Sequence, residues 1–436
     1  MKRMLARTDS VARESAVLAG VYLAGQGTGV APLDELVGLA EAAGVNVLGQ
    51  ITQRRNKPEG ATYIGSGKLE ELKMLAEAND ADLVIFDNDL APSQTKHLEE
   101  TLNVKVIDRT ELILDIFASR AKTNEARLAV ELAQLEYSLP RLKRMWTHLE
   151  RQGVGGVGLR GPGEKQLEVD RRLAQKRILD LKSELDAIHE RRKREVAARK
   201  KSRTVSLVGY TNAGKSTLLN TLTDSDVYVK DQLFATLDTR TRRWSLPGWG
   251  PVLLSDTVGF IRNLPHHLIA SFRATLEEAN QADLLLHIAD ATSSELNEQI
   301  AAAYQVLTDL GIREKDMLLV LNKIDSLESG DALPVLLERY PNAVPISAKS
   351  GLGLDKLTAA VSDALSKEFF DLTITMPISN GRLAALLAKE GEVLSTRYDE
   401  TSAVIHCRVP QHFFGTLRRE QDIQVVGLPA KEEAAW

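Results

Sequence analysis

Residues Gly209-Tyr210-Thr211-Asn212-Ala213-Gly214-Lys215-Ser216-Thr217 constrain this chain more than any other stretch. They follow a short apolar run, Val205–Val208, and precede a helix-compatible one, Thr217–Leu222. Strand, glycine-rich turn and helix start, in that order, are the setting of a phosphate loop. The order predicts an α/β domain with a mostly parallel sheet. Backbone N–H groups of the turn and the helix start can surround a polyphosphate, where the helix dipole also favours negative charge. Lys215 can reach the β- and γ-phosphates, and the Ser216 hydroxyl can ligate Mg²⁺.

The base has its own candidate further along. Asn322-Lys323-Ile324-Asp325 follows the apolar run Met317–Leu321, which puts it at the carboxyl end of a strand, where open α/β sheets bind ligands. An Asp carboxylate only accepts hydrogen bonds, so Asp325 matches the N1–H and exocyclic amine of guanine. Adenine would leave it desolvated and unpaired. Asn322 can bridge base and phosphate loop, and the Lys323 stem can cover one ring face. Together with the phosphate loop, this motif selects GTP over ATP.

Three more segments complete the set. Asp256 follows the strand-like run at 251–254 and is placed to hold the metal through water. The Gly259 N–H can meet a γ-phosphate without side-chain interference. Ser347-Ala348-Lys349 follows another apolar run and offers its backbone to guanine O6. Between phosphate loop and Asp256 lies a polar stretch from Phe234 to Thr241. Within it Thr236 is the preferred second hydroxyl for Mg²⁺, with Thr239 and Thr241 as alternatives. Lys215, Thr236 and Gly259 are thus the catalytic candidates, and Ser216, Thr236 and Asp256 the metal candidates. Phe260 stands where many such enzymes carry a water-orienting glutamine. Phenylalanine has no donor or acceptor, which predicts slow intrinsic hydrolysis completed by another residue or a partner. Arg262 and His266 just beyond it could sense a partner or help position water, but solvent exposure is the expectation for both.

Around this domain, placed at 202–368 with helical patterns at 268–278, 294–310, 333–339 and 354–366, the chain divides further. Residues 1–17 read as flexible. From 18 to 121, apolar strands such as Val45–Leu48, Leu83–Phe86 and Val104–Ile107 alternate with helical patterns, predicting a small α/β domain. Within it Gly65-Ser66-Gly67-Lys68 lacks the full phosphate-loop pattern, and Ser66 reads as a helix N-cap. Residues 122–201 carry two apolar stripes, Leu128, Leu132, Leu135 and Leu139, then Ala174, Ile178, Leu181, Leu185 and Ile188. These spacings predict an antiparallel helical hairpin, bent at Pro140, with a tip at 153–163 that contains six glycines. Residues 369–436 read as a small α/β appendage and tail, with strand patterns at Leu372–Met376 and Ser402–Val409 and a helical one at Arg382–Lys389.

A net charge of −5 argues against indiscriminate nucleic-acid binding, yet His189–Arg203 is strongly basic and Arg141, Lys143, Arg144 and Arg151 form a second patch. Such runs are often plain solvated helix faces. Without RNA-reading aromatics, any RNA contact here would use shape and phosphates. No apolar stretch is long enough to span a membrane, and no signal peptide is visible. Cys407 is the one cysteine, so an intramolecular disulfide is excluded. The cytoplasm is the expected compartment, with Mg²⁺ as the only implied metal.

The ordered nucleotide motifs resemble those of translation-factor-related GTPases. Outside them, Gly155–Arg172, Thr62–Lys68, Arg109–Arg120 and Asp256–Arg262 are similar to the HflX family of ribosome-associated GTPases. That resemblance covers about residues 18 to 368 strongly. It implies an Mg²⁺-dependent GTPase that binds the large ribosomal subunit and its rRNA, mainly through the N-terminal region and hairpin. It further implies splitting of stalled or idle 70S ribosomes under stress such as heat shock. Regulation of large-subunit assembly, or a nucleotide-switched RNA-binding module with little turnover, are the alternatives. Members of the family are thought to use ATP through the N-terminal region, which stays open here. The protein is expected to be a monomer without membrane insertion, a peripheral membrane association being left open.

Overall fold

The computed structural model describes residues 11, 13–23, 33–142, 162–198, 203–223, 234, 240–246, 250–262, 279–309, 317–327, 332–366, 369–410, 413–420 and 422–427. Three separate sheets organise these residues.

The first sheet has the order β2-β1-β3-β4 and is parallel throughout. Its strands are β1 (Ser15–Leu23), β2 (Asn46–Arg55), β3 (Leu83–Phe86) and β4 (Lys105–Asp108). A central parallel strand is covered on both faces and reads as a continuous apolar run. β1 does so, and Ala16 and Val17 are fully buried. The flexible segment expected at 1–17 is therefore corrected, since Ser15–Val17 belong to this strand. Helices α1 (Asp34–Ala43) and α4 (Arg109–Arg120) cover one face. Helices α2 (Ser66–Ala78) and α3 (Pro92–Leu102) cover the other. Ser66 is not the cap of α2 but its first residue. Gly65 holds the N-cap position and makes no side-chain cap bond.

Asp108 closes β4 and caps α4 by accepting from the Glu111 N–H at 2.9 Å. The same carboxylate accepts from the Tyr137 hydroxyl at 2.8 Å. Tyr137 lies on α5 (Asn124–Ser138), so one buried side chain ties the helical segment to the first sheet. The Arg141 guanidinium stacks 3.6 Å from the Tyr137 ring centroid and bonds Asp108 and the Leu90 carbonyl. Arg141 thus leaves the basic patch expected from sequence, because its charge is satisfied internally.

α5 packs on α6 (Pro162–Ala198) through the two anticipated stripes. Leu128, Leu132 and Leu135 meet Ile178, Leu181 and Leu185 in one cluster. Arg177 bonds Glu131 at 2.8 Å and Lys182 lies 2.8 Å from Glu136 alongside that seam. A 3₁₀ turn at Leu139–Arg141 ends the regular helix where Pro140 removes an N–H donor. The glycine-rich tip expected at 153–163 falls mostly outside the described residues, as do Lys143, Arg144 and Arg151.

The second sheet has the order β10-β9-β8-β5-β7-β6. It comprises β5 (Thr204–Gly209), β6 (Arg240–Leu246), β7 (Gly250–Asp256), β8 (Leu284–Asp290), β9 (Met317–Asn322) and β10 (Val344–Pro345). All neighbours are parallel except β6, which runs antiparallel to β7. Helices α7 (Lys215–Thr223), α8 (Leu296–Asp309), α9 (Ala332–Arg339) and α10 (Leu354–Ser366) accompany it. This is the mostly parallel α/β domain read from the phosphate loop. The helix expected at 268–278 lies outside the described residues.

The third sheet, β12-β13-β11-β14, is antiparallel throughout. Its chain order is β11 (Phe369–Pro377), α11 (Gly381–Glu390), β12 (Glu392–Tyr398), β13 (Ser402–Pro410), α12 (Phe414–Leu417) and β14 (Gln424–Val426). That is a split β-α-β arrangement. Sequence reading located β11, α11 and β13 but not β12, an exposed edge strand without a buried alternating face. Among the described residues no helix is long and apolar enough to cross a membrane.

Leu181 is completely buried in the α5–α6 seam. Its truncation to alanine should cost about 2–5 kcal/mol locally. Hydrogen exchange should accelerate across both helices while the three sheets keep their protection. Unchanged exchange in α5 would show that the seam does not hold the pair together.

Candidate functional site

The parallel strands of the second sheet deliver the candidate residues to one end. Gly209 ends β5, Asp256 ends β7, Asp290 ends β8, Asn322 ends β9, and Ile346 follows β10. An apolar core fixes these ends, because Val205, Leu207, Leu254, Leu286, Ile288 and Val320 are all fully buried beneath them.

Residues 209–217 turn from β5 into α7 as the sequence implied. Gly214 adopts φ +93°, and a Cβ there would lie 2.2 Å from Asn322 Nδ2. Glycine is therefore required both by conformation and by the close approach of a side chain from β9. Asn212 also takes a left-handed conformation, φ 62°. Lys215 is buried, and its Nζ donates to the carbonyls of Gly209 at 3.0 Å and Tyr210 at 2.6 Å. These bonds fold the side chain back over the turn. Burial pushes the Lys215 ammonium down to about 8, with Asp256 opposing that fall.

Ser216 donates to Asp256 Oδ2 at 2.5 Å. A hydroxyl and a fully buried carboxylate thus sit side by side beside the loop. Hard oxygen donors of this kind fit Mg²⁺, which takes few protein ligands and keeps waters and phosphate oxygens for the rest. Thr257 next door is buried and bonds the Leu207 carbonyl at 2.7 Å, fixing the end of β7 against β5. Thr236 and Thr239 lie outside the described residues, whereas Thr241 sits within β6. Phe234 is buried, edge-on to Phe117 of α4, with ring centroids 4.6 Å apart.

On the base side, Asn322 is 2% exposed and has both ends of its amide engaged. Nδ2 donates to the Ala213 carbonyl at 2.8 Å, and Oδ1 accepts from the Ala348 N–H at 2.9 Å. Asn322 therefore links the phosphate loop to residues 347–349. A connection that sequence reading missed supports the same loop. Thr221 on α7 donates from Oγ1 to the Ala348 carbonyl at 2.9 Å. Lys323 takes φ 65°, and its ammonium pairs with Asp290 at 2.7 Å. Asp325 is open to solvent, and the Ser347 hydroxyl lowers its carboxyl below the usual range. The carboxylate is thus ionised and free to accept, the form that guanine recognition needs.

The segment after Asp256 also departs from expectation. Phe260 is 4% exposed and pairs with the phosphate loop as a short bridge. Arg262 was expected to face solvent. Its guanidinium instead lies 3.6 Å from each of Glu35, Asp87 and Glu295. Two of those carboxylates come from the first α/β unit, a separation no local pattern could have signalled. His266 lies outside the described residues.

Comparison with known proteins gives a consistent picture. Residues 31–118 match the family described as GTP-binding GTPase N-terminal, and 120–199 match the GTP-binding GTPase Middle Region. Residues 204–323 match the family described as 50S ribosome-binding GTPase. GTPase HflX of Caldanaerobacter subterraneus subsp. tengcongensis is 47% identical over 379 residues, which span 86% of this chain and 87% of that protein. GTPase HflX of Escherichia coli is 48% identical over 377 residues, 85% of this chain and 88% of that protein. A GTP-binding protein from Sulfolobus solfataricus, solved with GDP, is similar at 25% identity and a TM-score of 0.43, covering 81% of this chain and 99% of that one.

Bound phosphates favour the charged form of Lys215, so the pH dependence of affinity has a definite sign. Well below pH 8 the free ammonium is already charged and binding takes up almost no proton. Above it, binding requires proton uptake, and GDP affinity should fall between pH 8 and 9, approaching roughly tenfold per unit. Isothermal titration in buffers of different ionisation heat would detect the uptake. A flat affinity with no proton uptake at pH 9 would contradict the burial of Lys215.

Proposed function

The chain belongs to the HflX family of GTPases, and from that premise we propose that it is an Mg²⁺-dependent GTPase acting on the large ribosomal subunit. Lys215 and the amides of residues 209–217 hold the phosphates. Ser216 and Asp256 hold Mg²⁺, with Thr236 supplying a second hydroxyl once the γ-phosphate orders its segment. Gly259 offers its N–H to that phosphate. Asp325 reads guanine, Ser347–Lys349 support O6, and Asn322 and Lys323 frame the base. Water attacks the γ-phosphate in line, and charge is stabilised by Lys215, the loop amides and the ion rather than by a side-chain base. Intrinsic turnover is slow because Phe260 cannot orient water, and the ribosome supplies the stimulation.

The observation that carries this reading is the double engagement of Asn322, which joins the phosphate-side and base-side elements into one pocket. Supporting the ribosomal role are the family membership and the helical arm of α5 and α6, which precedes β5 in the chain. By the family resemblance, the GTP form splits stalled or idle 70S ribosomes, notably under heat stress, and hydrolysis releases the protein. This activity belongs in the cytoplasm.

Sedimentation of intact 70S ribosomes with protein and a non-hydrolysable GTP analogue is the decisive measurement. Subunits should accumulate with the analogue and not with GDP. Binding to free large subunits without any splitting would replace this role with one in subunit assembly.

Replacing Asp325 by asparagine gives a pocket that can donate where it formerly only accepted. Affinity for GDP should fall by two orders of magnitude or more, roughly as expected when a buried polar partner is mismatched. Xanthosine diphosphate, which carries a carbonyl at that ring position, should bind the variant better than GDP. Equal loss of both nucleotides would remove Asp325 from base recognition.

A further inference from the structure

Residues 259–262 are gripped from two sides. On the phosphate-loop side, the Phe260 N–H donates to the Gly209 carbonyl at 3.0 Å, and the Phe260 carbonyl accepts from the Thr211 N–H at 2.8 Å. This brings Gly259 so close that a Cβ there would lie 2.9 Å from Lys215 Nζ and 2.8 Å from Thr211 Cα. On the other side, the first α/β unit takes both backbone polar groups of Arg262. Its N–H donates to Glu35 Oε1 at 3.2 Å, and its carbonyl accepts from Arg109 at 3.2 Å. The Arg262 guanidinium adds the three 3.6 Å approaches to Glu35, Asp87 and Glu295.

This second grip is preorganised. Arg109 is 4% exposed and pairs with Glu35 and Asp87 at 2.7 Å each. Burial alone would lower its guanidinium, but those two carboxylates outweigh it and hold it above the ordinary value. Tyr210 of the phosphate loop is buried next to the same group of charges. Apolar contacts seal the junction, since Phe117, Phe234, Phe260 and Ile261 share one core cluster with Leu33 and Leu36.

In the observed arrangement the Gly259 backbone rests on Lys215. A third phosphate bonded to both groups must come between them and lift Gly259. Lifting it pulls on Arg262, three residues on, and on its bonds to Glu35 and Arg109. GDP makes no such demand. A contact present in one conformation and lost in the other necessarily shifts the affinities of ligands that distinguish the two.

Resting on the nucleotide reading above, we propose that Glu35 is a positioning residue through which the N-terminal unit sets the discrimination between GDP and GTP. Held to Arg262, it keeps residues 259–262 down on the phosphate loop, and GTP must break that hold to engage Gly259.

The test uses the full-length protein and fluorescent GDP and non-hydrolysable GTP analogues at fixed Mg²⁺. Glu35→Ala should raise the ratio of GTP-analogue to GDP affinity by about five- to tenfold, within the usual range of such couplings. GDP affinity itself should stay within about twofold of the original, the expectation for a ligand that does not sense the coupled contact. Glu35→Gln keeps an acceptor for the Arg262 N–H but loses the ion pair, and should fall between. Because Glu35→Ala leaves the buried Arg109 with one carboxylate fewer and can misfold, Arg262→Ala provides a second arm. It leaves the Arg109 pairs intact and should move the ratio in the same direction. Hydrogen exchange of α1 should be faster with the GTP analogue bound than with GDP. If both folded variants bind GDP normally and their ratio is unchanged or moves towards GDP, the proposal is wrong. Failure of the unmodified protein to bind any guanine nucleotide would instead remove the underlying reading.

Discussion

A single buried amide holds the two halves of the nucleotide pocket together. Asn322 has no exposed surface to spare, so each end of its side chain must be satisfied within the protein. It meets that requirement by donating to the phosphate loop and accepting from the loop after β10. Neither loop has regular secondary structure to fix it, and each is positioned through the strand between them. The left-handed Gly214 belongs to the same arrangement, because any side chain there would occupy the space of the Asn322 amide. The turn at 209–217 and the segment at 347–349 are therefore not positioned independently of one another.

What was legible in the sequence follows the range of the physics involved. Strand, turn and helix around residues 205–222 are specified locally, by an apolar run, glycines and a helix start, and they appear where expected. The α5–α6 seam was equally legible, since its period alone dictates which leucines meet. Edge strand β12 was missed because exposure erases the alternation that marks a strand. Ser66 was misplaced as a cap because propensity ranks serine high at that position while the backbone assigned it to Gly65. The most consequential omissions were long-range charges. Arg141 and Arg262 both read as solvated cations, yet each is neutralised by carboxylates from elements remote in sequence.

These charge pairs do more than lower a desolvation cost. Asp108 connects the first sheet to α4, α5 and the following 3₁₀ turn, and burial raises its carboxyl above the usual range despite the bonds that favour its ionised form. Glu35 and Asp87 connect the same sheet to the segment after β7. The first α/β unit thus touches both the helical arm and the nucleotide-facing loops, through separate groups of polar side chains. Phe260, which on local grounds only removes a catalytic amide, also lies in the apolar contact between these units. Its side chain is spent on cohesion rather than on water.

The length of α6 has a mechanical consequence. Its 37 residues form one uninterrupted helix that ends just before β5. At the standard rise it extends about 55 Å, so one degree of tilt at its base displaces the far end by about 1 Å. A rotation of a few degrees at one end of the helix would therefore move the other end by the width of a side chain. A rod of this length carries an angular change over distance without any flexible relay.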